Sequence, residues 1–126
     1  MSTNTKAAVV MLSDVVGYTR MMASDEAATL ALVQNSHRLQ KELINKYNGH
    51  FIKEIGDGLL AWFDKQGDSL SCCAEIQTIH SKLDVNIRIG LHQATIIIEK
   101  DDNFGDGVNM ASRIEPLADP GVVYIS

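Results

Sequence analysis

The chain has 126 residues, 45% of them hydrophobic, enough for one domain spanning 1–126 around one core. Its 16 acidic residues against 11 basic ones leave a net charge of −5, so no diffuse attraction to nucleic acid or an anionic membrane is expected, and any polyanion must be held by local chemistry. The apolar runs Ala7–Leu12 and Ile96–Ile98 are far shorter than the roughly 20 residues of a membrane span, the N-terminus lacks a charge-then-apolar leader, and Cys72 and Cys73 are adjacent and poorly placed to bridge each other. A soluble, cytoplasmic protein is expected, with no membrane insertion, disulfide framework or zinc cluster.

Lys6 to Ser13 is an apolar, β-branched run ending at Asp14, which reads as a buried strand. Ser24-Asp25-Glu26 supplies a helix N-cap with acids in the first turn, and Leu30, Val33, His37, Leu39, Leu43, Ile44 and Tyr47 make a helical stripe that ends near Asn48-Gly49. His50 to Phe63 reads as a hairpin folded at Gly56-Asp57-Gly58, with Lys53 inside its first strand. Leu70, Cys73, Ile76, Ile79 and Leu83 recur at helical spacing over Asp68 to Leu83 and place two buried thiols on a second long helix. Val85 to His92 alternates, with Ile87, Ile89 and Leu91 on one face, and Thr95 to Glu99 is a second short strand beside it. Asp106 to Leu117 has a helical pattern stopped by Asp119-Pro120-Gly121, and Val122 to Ile125 is a last strand. The order β-α-β-β-α-β-β-α-β contains a ferredoxin-like β-α-β-β-α-β core. The expected fold is α+β, with helices on one face of a mostly antiparallel sheet and the other face open to a partner.

Four stretches carry candidate chemistry: "LSDVVGYT" (12–19), "KEIGDG" (53–58), "GLH" (90–92) and "DDNFGDGVNMASRIE" (101–115). Taken singly, each has a plain structural explanation. Asp57 can be a turn former, Asp14 a cap of the next helical turn, Lys53 a cation lying along the sheet, and Asn109 with Arg113 one solvated helical face. His92 reads as a structural imidazole at a strand end.

In this order and at these spacings the four stretches resemble the catalytic domain of class III nucleotidyl cyclases, over Lys6 to Ser126. The bacterial members look like "FTDMVGYT", "KTIGDGLLAEF", "RIGIHxG" and "DxxGDGVNxAARIE". The resemblance implies an adenylate cyclase that converts ATP to 3′,5′-cyclic AMP and pyrophosphate. It implies that Asp14 and Asp57, with the Val15 carbonyl, hold two Mg²⁺ or Mn²⁺ ions, about 4 Å apart in two-metal sites. Gly17, Tyr18 and Thr19 would meet phosphate oxygens through their amides. Lys53 and Asp102 would read adenine, Asp101 being the alternative acid after a one-residue loop shift, and Asn109 and Arg113 would orient the ribose and stabilise charge on the α-phosphate.

Lys53 stands four residues before Asp57, roughly 13 Å along an extended strand, so the two cannot serve one atom cluster. The resemblance resolves this with a head-to-tail homodimer, in which metal acids and base-reading residues of one site come from different subunits. Adenine offers an acceptor to Lys53 and a donor to Asp102, whereas guanine would leave desolvated groups unpaired at about 1–3 kcal/mol each; ATP is the expected substrate.

Some features depart from the family pattern. Family domains continue past the strand matching Val122–Ile125 with a helix and strand pair carrying a lysine for the triphosphate, and the segment Ser81–Asn86 is shorter than usual. Ala94 stands for a frequent Gly and Glu54 for a frequent Thr, neither expected to touch the chemistry. The alternative reading is a catalytically weak or inactive nucleotide-binding or regulatory module, in either case with room for regulatory domains in a longer parent chain. A phosphoacceptor receiver domain fits poorly, because its acid should follow a parallel strand and Asp57 lies between hairpin strands. A diguanylate cyclase would need a Gly-Gly-acidic-acidic turn in place of Ile55-Gly56-Asp57-Gly58.

Overall fold

Residues 2–101, 105–110 and 123–125 are described in the computed structural model, with side chains over 6–96. The first apolar run becomes strand β1 (Ser2–Val15), longer at its start than the Lys6–Ser13 expected. A short helix α1 (Tyr18–Ser24) leads into α2 (Glu26–Lys46), whose N-cap Asp25 accepts a hydrogen bond from the Ala28 amide, as the cap signal requires. The hairpin follows as β2 (His50–Ile55) and β3 (Gly58–Phe63), then α3 (Gln66–Lys82), β4 (Ile87–Asp101), β5 (Gly105–Met110) and β6 (Val123–Ile125). The sheet order is β2-β3-β1-β4-β5, with every neighbour antiparallel; β6 pairs parallel with Ile89–Leu91 of β4. No described helix is long and apolar enough to cross a membrane.

Strand alternation separates two apolar clusters. Val9, Met11, Leu59, Phe63, Ile87 and Ile89 face α2 and α3, meeting Val33, Leu43 and Ile44 on the first and Cys72, Cys73 and Ile76 on the second. Complete burial of a side chain such as Phe63 contributes about 1.5–3 kcal/mol. Burial also pushes the Cys72 thiol up to about 12 and Cys73 higher still, so both stay protonated and inert. A smaller cluster of Ala8, Val10, Leu60, Trp62, Ala94 and Ile96 occupies the opposite face, and no described helix contributes to it.

Two expected elements differ. The strands placed at 85–92 and 95–99 are one, because β1 supplies an unbroken partner from Ser2 to Val15 and Gln93 and Ala94 pair with Val9 and Ala8. The helix expected over 106–117 is replaced over Gly105–Met110 by β5, laddered onto Ile96–Asp101, an edge of β4 that β6 leaves open. The rest of that stretch lies outside the described residues. The helical pattern there competes with an available row of backbone donors and acceptors, and the sheet edge takes the segment.

The stripe of α2 also differs in content. Leu30 is 42% exposed, while Thr29, Ser36, His37 and Gln40 are buried. Three of these polar residues join a chain of hydrogen bonds or a clamp. Ser13 Oγ donates to Gln40 Oε1 (2.7 Å), Gln40 Nε2 donates to Ser36 Oγ (3.0 Å), and Ser36 Oγ meets His80 Nε2 (2.8 Å). His80 Nδ1 lies 2.8 Å from the Ile76 carbonyl, which can only accept, so Nδ1 carries the proton and Nε2 accepts from Ser36. Every polar group in the run from β1 through α2 to α3 is thereby satisfied, which is what permits its burial.

Burial holds the His80 pKa below its ordinary value, opposed only by the Ile76 bond. An unfolded chain takes up that proton near pH 6.5 and the folded one resists, so stability present above about pH 6.5 is lost as pH falls toward the folded pKa. Urea midpoints measured from pH 7.5 to 5.5 should fall for the wild type and fall less steeply for His80→Gln.

Candidate active site

The seat of the β2–β3 turn builds the site. Gly56 takes φ 56°, the first position of a two-residue hairpin loop, and presents Asp57 at the tip. Asp57 Oδ2 then accepts a hydrogen bond from the Val15 amide at 2.8 Å. That approach needs glycine at 58, because a Cβ there would stand 1.9 Å from the Ser13 carbonyl oxygen, a backbone atom that cannot move aside. From the other side His37 Nε2–H donates to the Asp57 carbonyl (3.0 Å), and His37 Nδ1 lies 3.2 Å from Glu54, which Lys41 also holds at 2.8 Å. The Lys41 hydrogen bond keeps the Glu54 carboxyl below its usual range. Glu54 thus stands beside the histidine that holds the turn, although its position in the sequence carries no sign of that placement.

Asp14 reaches the same place from the end of β1. It stands opposite Arg88 in the β1–β4 register, and the guanidinium forks onto it, Nε to Oδ1 at 3.1 Å and Nη2 to Oδ2 at 2.7 Å. The pair is half-buried, with side chains 38% exposed at Arg88 and 24% at Asp14. The Arg88 pKa is raised, first by this hydrogen bond, against desolvation, then by the charges of Asp14 and Asp57.

A pocket of about 390 Å³ is lined by Asp14, Val15, Gly17, Tyr18, Thr19, Arg20, Asp57 and Arg88. Gly17 caps α1 in the left-handed conformation, φ 76°, and turns the chain out of β1 so that the following residues line the pocket. Arg20 is exposed at its edge and makes no ion pair with a described residue. A larger recess of about 530 Å³ near Ala7–Val9, Asp64 and His92–Thr95 gathers no comparable pair of acids.

Six of the residues singled out in the sequence, Asp14, Val15, Gly17, Tyr18, Thr19 and Asp57, thus converge. Lys53 does not join them. It pairs with Leu60 and shares the helix-free face with Asp14. Two strand spacings across and two residues along, it lies about 12 Å away. Asn109 sits in β5 opposite Ile97, in a strand rather than on the helical face expected with Arg113. Asp102 and Arg113 lie outside the described residues. Arg88 and His37 were missed as site residues. The signal for Arg88 was a lone cation inside the alternating Ile87-Arg88-Ile89, the same oddity as Lys53, but its partner depends on register. His37 falls by spacing on the apolar stripe of α2, which hides its role.

The donor set suits a hard divalent cation. Asp14 and Asp57 offer carboxylate oxygens in one pocket, and no group of three or more His, Cys, Asp or Glu side chains able to hold a metal occurs among the described residues. Further oxygens would come from backbone or substrate.

The chain belongs to the adenylate and guanylate cyclase catalytic domain family, whose sequence profile it matches over residues 1–126. It is 35% identical over 130 residues to a Rhizobium meliloti (strain 1021) protein named "Putative adenylate cyclase 3", covering 96% of this chain and 22% of that one. The structure of an adenylate/guanylate cyclase/hydrolase from Silicibacter pomeroyi superposes with TM-score 0.79 at 30% identity, over 98% of this chain and 77% of that one. The adenylyl cyclase of P. aeruginosa shares the fold, TM-score 0.76 at 16% identity, over 100% of this chain and 79% of that one. The chain spans 22% to 31% of the length of the curated relatives it matches.

Two outcomes test the seating of the turn. Gly58→Ala should lower unfolding stability by about 1–3 kcal/mol or more in urea titrations, the range for overpacking. His37→Phe should keep the fold while amide exchange at Gly56–Gly58 rises about tenfold, the loss of one buried hydrogen bond.

Proposed function

We propose that this chain is an adenylate cyclase catalytic domain, converting ATP to 3′,5′-cyclic AMP and pyrophosphate at a site completed by a second copy arranged head-to-tail. The observation that carries the reading is the meeting of Asp14 and Asp57 in one pocket while Lys53 lies outside it on the same face. Relatives named adenylate cyclase support ATP as the substrate, and ATP implies a cytoplasmic domain.

The triphosphate lies against the amides of Gly17, Tyr18 and Thr19, with Arg20 at the pocket edge offering a guanidinium to its anionic oxygens. Asp14, Asp57 and the Val15 carbonyl would hold two Mg²⁺ or Mn²⁺ ions, which when bound supply a more acidic ribose 3′-hydroxyl and charge neutralisation for the leaving pyrophosphate. The 3′-oxygen attacks the α-phosphorus, its proton leaves to solvent, and the bond from the α-phosphorus to the bridging oxygen of pyrophosphate breaks. Lys53 of the other copy donates to adenine N1 and Asp102 accepts from the N6 amino group. Asn109 orients the ribose and Arg113 stabilises charge on the α-phosphate. The longer relatives support regulatory domains in the parent chain.

Nucleotide binding without turnover is the second reading, favoured by Arg88 engaging both oxygens of Asp14. A cyclic AMP assay on the purified chain with ATP and Mg²⁺ or Mn²⁺ separates the two. Asp57→Ala and Lys53→Ala should each lower product formation by at least about 100-fold, equivalent to about 2.7 kcal/mol. Mixing them should restore part of it, since one hybrid site keeps all its native residues. Heterodimers that form without any recovery would reject the shared site.

A further inference from the structure

Two carboxylates facing one pocket repel each other unless something positive stands between them and water. Asp57 is partly compensated, its Oδ2 accepting the Val15 amide, and no described residue is hydrogen-bonded to its Oδ1. Asp14 has no such reserve: Arg88 engages Oδ1 through Nε at 3.1 Å and Oδ2 through Nη2 at 2.7 Å and Nε at 3.3 Å. Asp14 and Arg88 are direct cross-strand partners, so the pairing of β1 with β4 brings the guanidinium within reach of both carboxylate oxygens. It lies in the pocket with Asp57, not on a remote surface.

We propose that Arg88 is the resident counter-cation of the site: it neutralises Asp14 when no divalent ion is bound, and an ion entering at Asp14 must displace the guanidinium. The proposal rests on the reading of Asp14 and Asp57 as metal acids. The physical basis is competition. A planar bidentate fork covers one face of the carboxylate and sets a full positive charge beside both oxygens, so a hard cation coming to Asp14 meets a blocked approach and like-charge repulsion. By linkage, whatever Arg88 contributes to keeping the two acids together in the metal-free protein is subtracted from the apparent affinity for the ion. Asp57, whose Oδ1 takes no hydrogen bond from a described residue, offers the first foothold, and Asp14 is reached only as Arg88 lets go. If instead the fork is a half-exposed surface pair of the usual small worth, its removal changes ion binding little.

The test uses the nucleotide-free chain. Mg²⁺ titration followed by NMR should move the Arg88 Nε–H resonance in step with the amides of Asp14–Gly17 in the wild type, with no substitution needed. Calorimetry with Mn²⁺ should find Arg88→Gln binding about tenfold more tightly than wild type, and Arg88→Lys, which keeps the charge but cannot fork, in between. Melting should show Arg88→Gln less stable than wild type without metal, with the gap closing at saturating Mn²⁺. Ion binding seen at Asp57 and Val15 with the Arg88 resonance unmoved, or equal Mn²⁺ affinity in wild type and both variants, overturns the competition while leaving the metal site standing. Absence of ion binding in wild type and both variants overturns the metal reading of Asp14 and Asp57, and the proposal with it.

Discussion

When the Val15 amide donates to the Asp57 carboxylate, the tip of one hairpin is fixed to the end of a different strand, and the rest of the site follows from that contact. It sets where β3 begins against β1, hence the register that places Leu59 and Phe63 among the helix-facing core and Leu60 and Trp62 on the opposite face. It also holds a carboxylate beside the turn at Gly17–Thr19. One glycine, 58, makes the approach sterically possible, and one histidine, 37, ties the turn back to α2. Pocket and fold therefore share a contact, and weakening it should loosen the pocket before it opens the core.

Much of the fold was legible because local signals and periodicity agreed. The Asp25 cap, the alternation at Ile87, Ile89 and Leu91, and the Gly56-Asp57 loop each require one backbone conformation, and each was found. Reading faltered where two partners competed for one segment. Gly105–Met110 carries a helical pattern, yet the open edge of β4 offers a ladder, and no local rule weighs one against the other. The same holds for Gln93 and Ala94, whose small break in alternation is overridden by a continuous partner strand.

The site was legible in a different way. Asp14 and Gly17 of "LSDVVGYT" and Asp57 of "KEIGDG" stand out through a resemblance, and all three line one pocket. Residues that act through a neighbour escaped, because their role is defined by pairing and not by type. Arg88 is an ordinary strand cation until register sets it across from Asp14. His37 and Glu54 look like one helix residue and one strand residue until the hairpin folds onto α2.

The hydrogen bonds from Ser13 through Gln40 and Ser36 to His80 all point the same way, toward the Ile76 carbonyl. An amide in the middle of such a line can hand on no proton without becoming an unstable imidic acid, so the line is a brace and not a proton wire: it ties both helices to the strand that bears Asp14 and relays no proton between that strand and the buried imidazole.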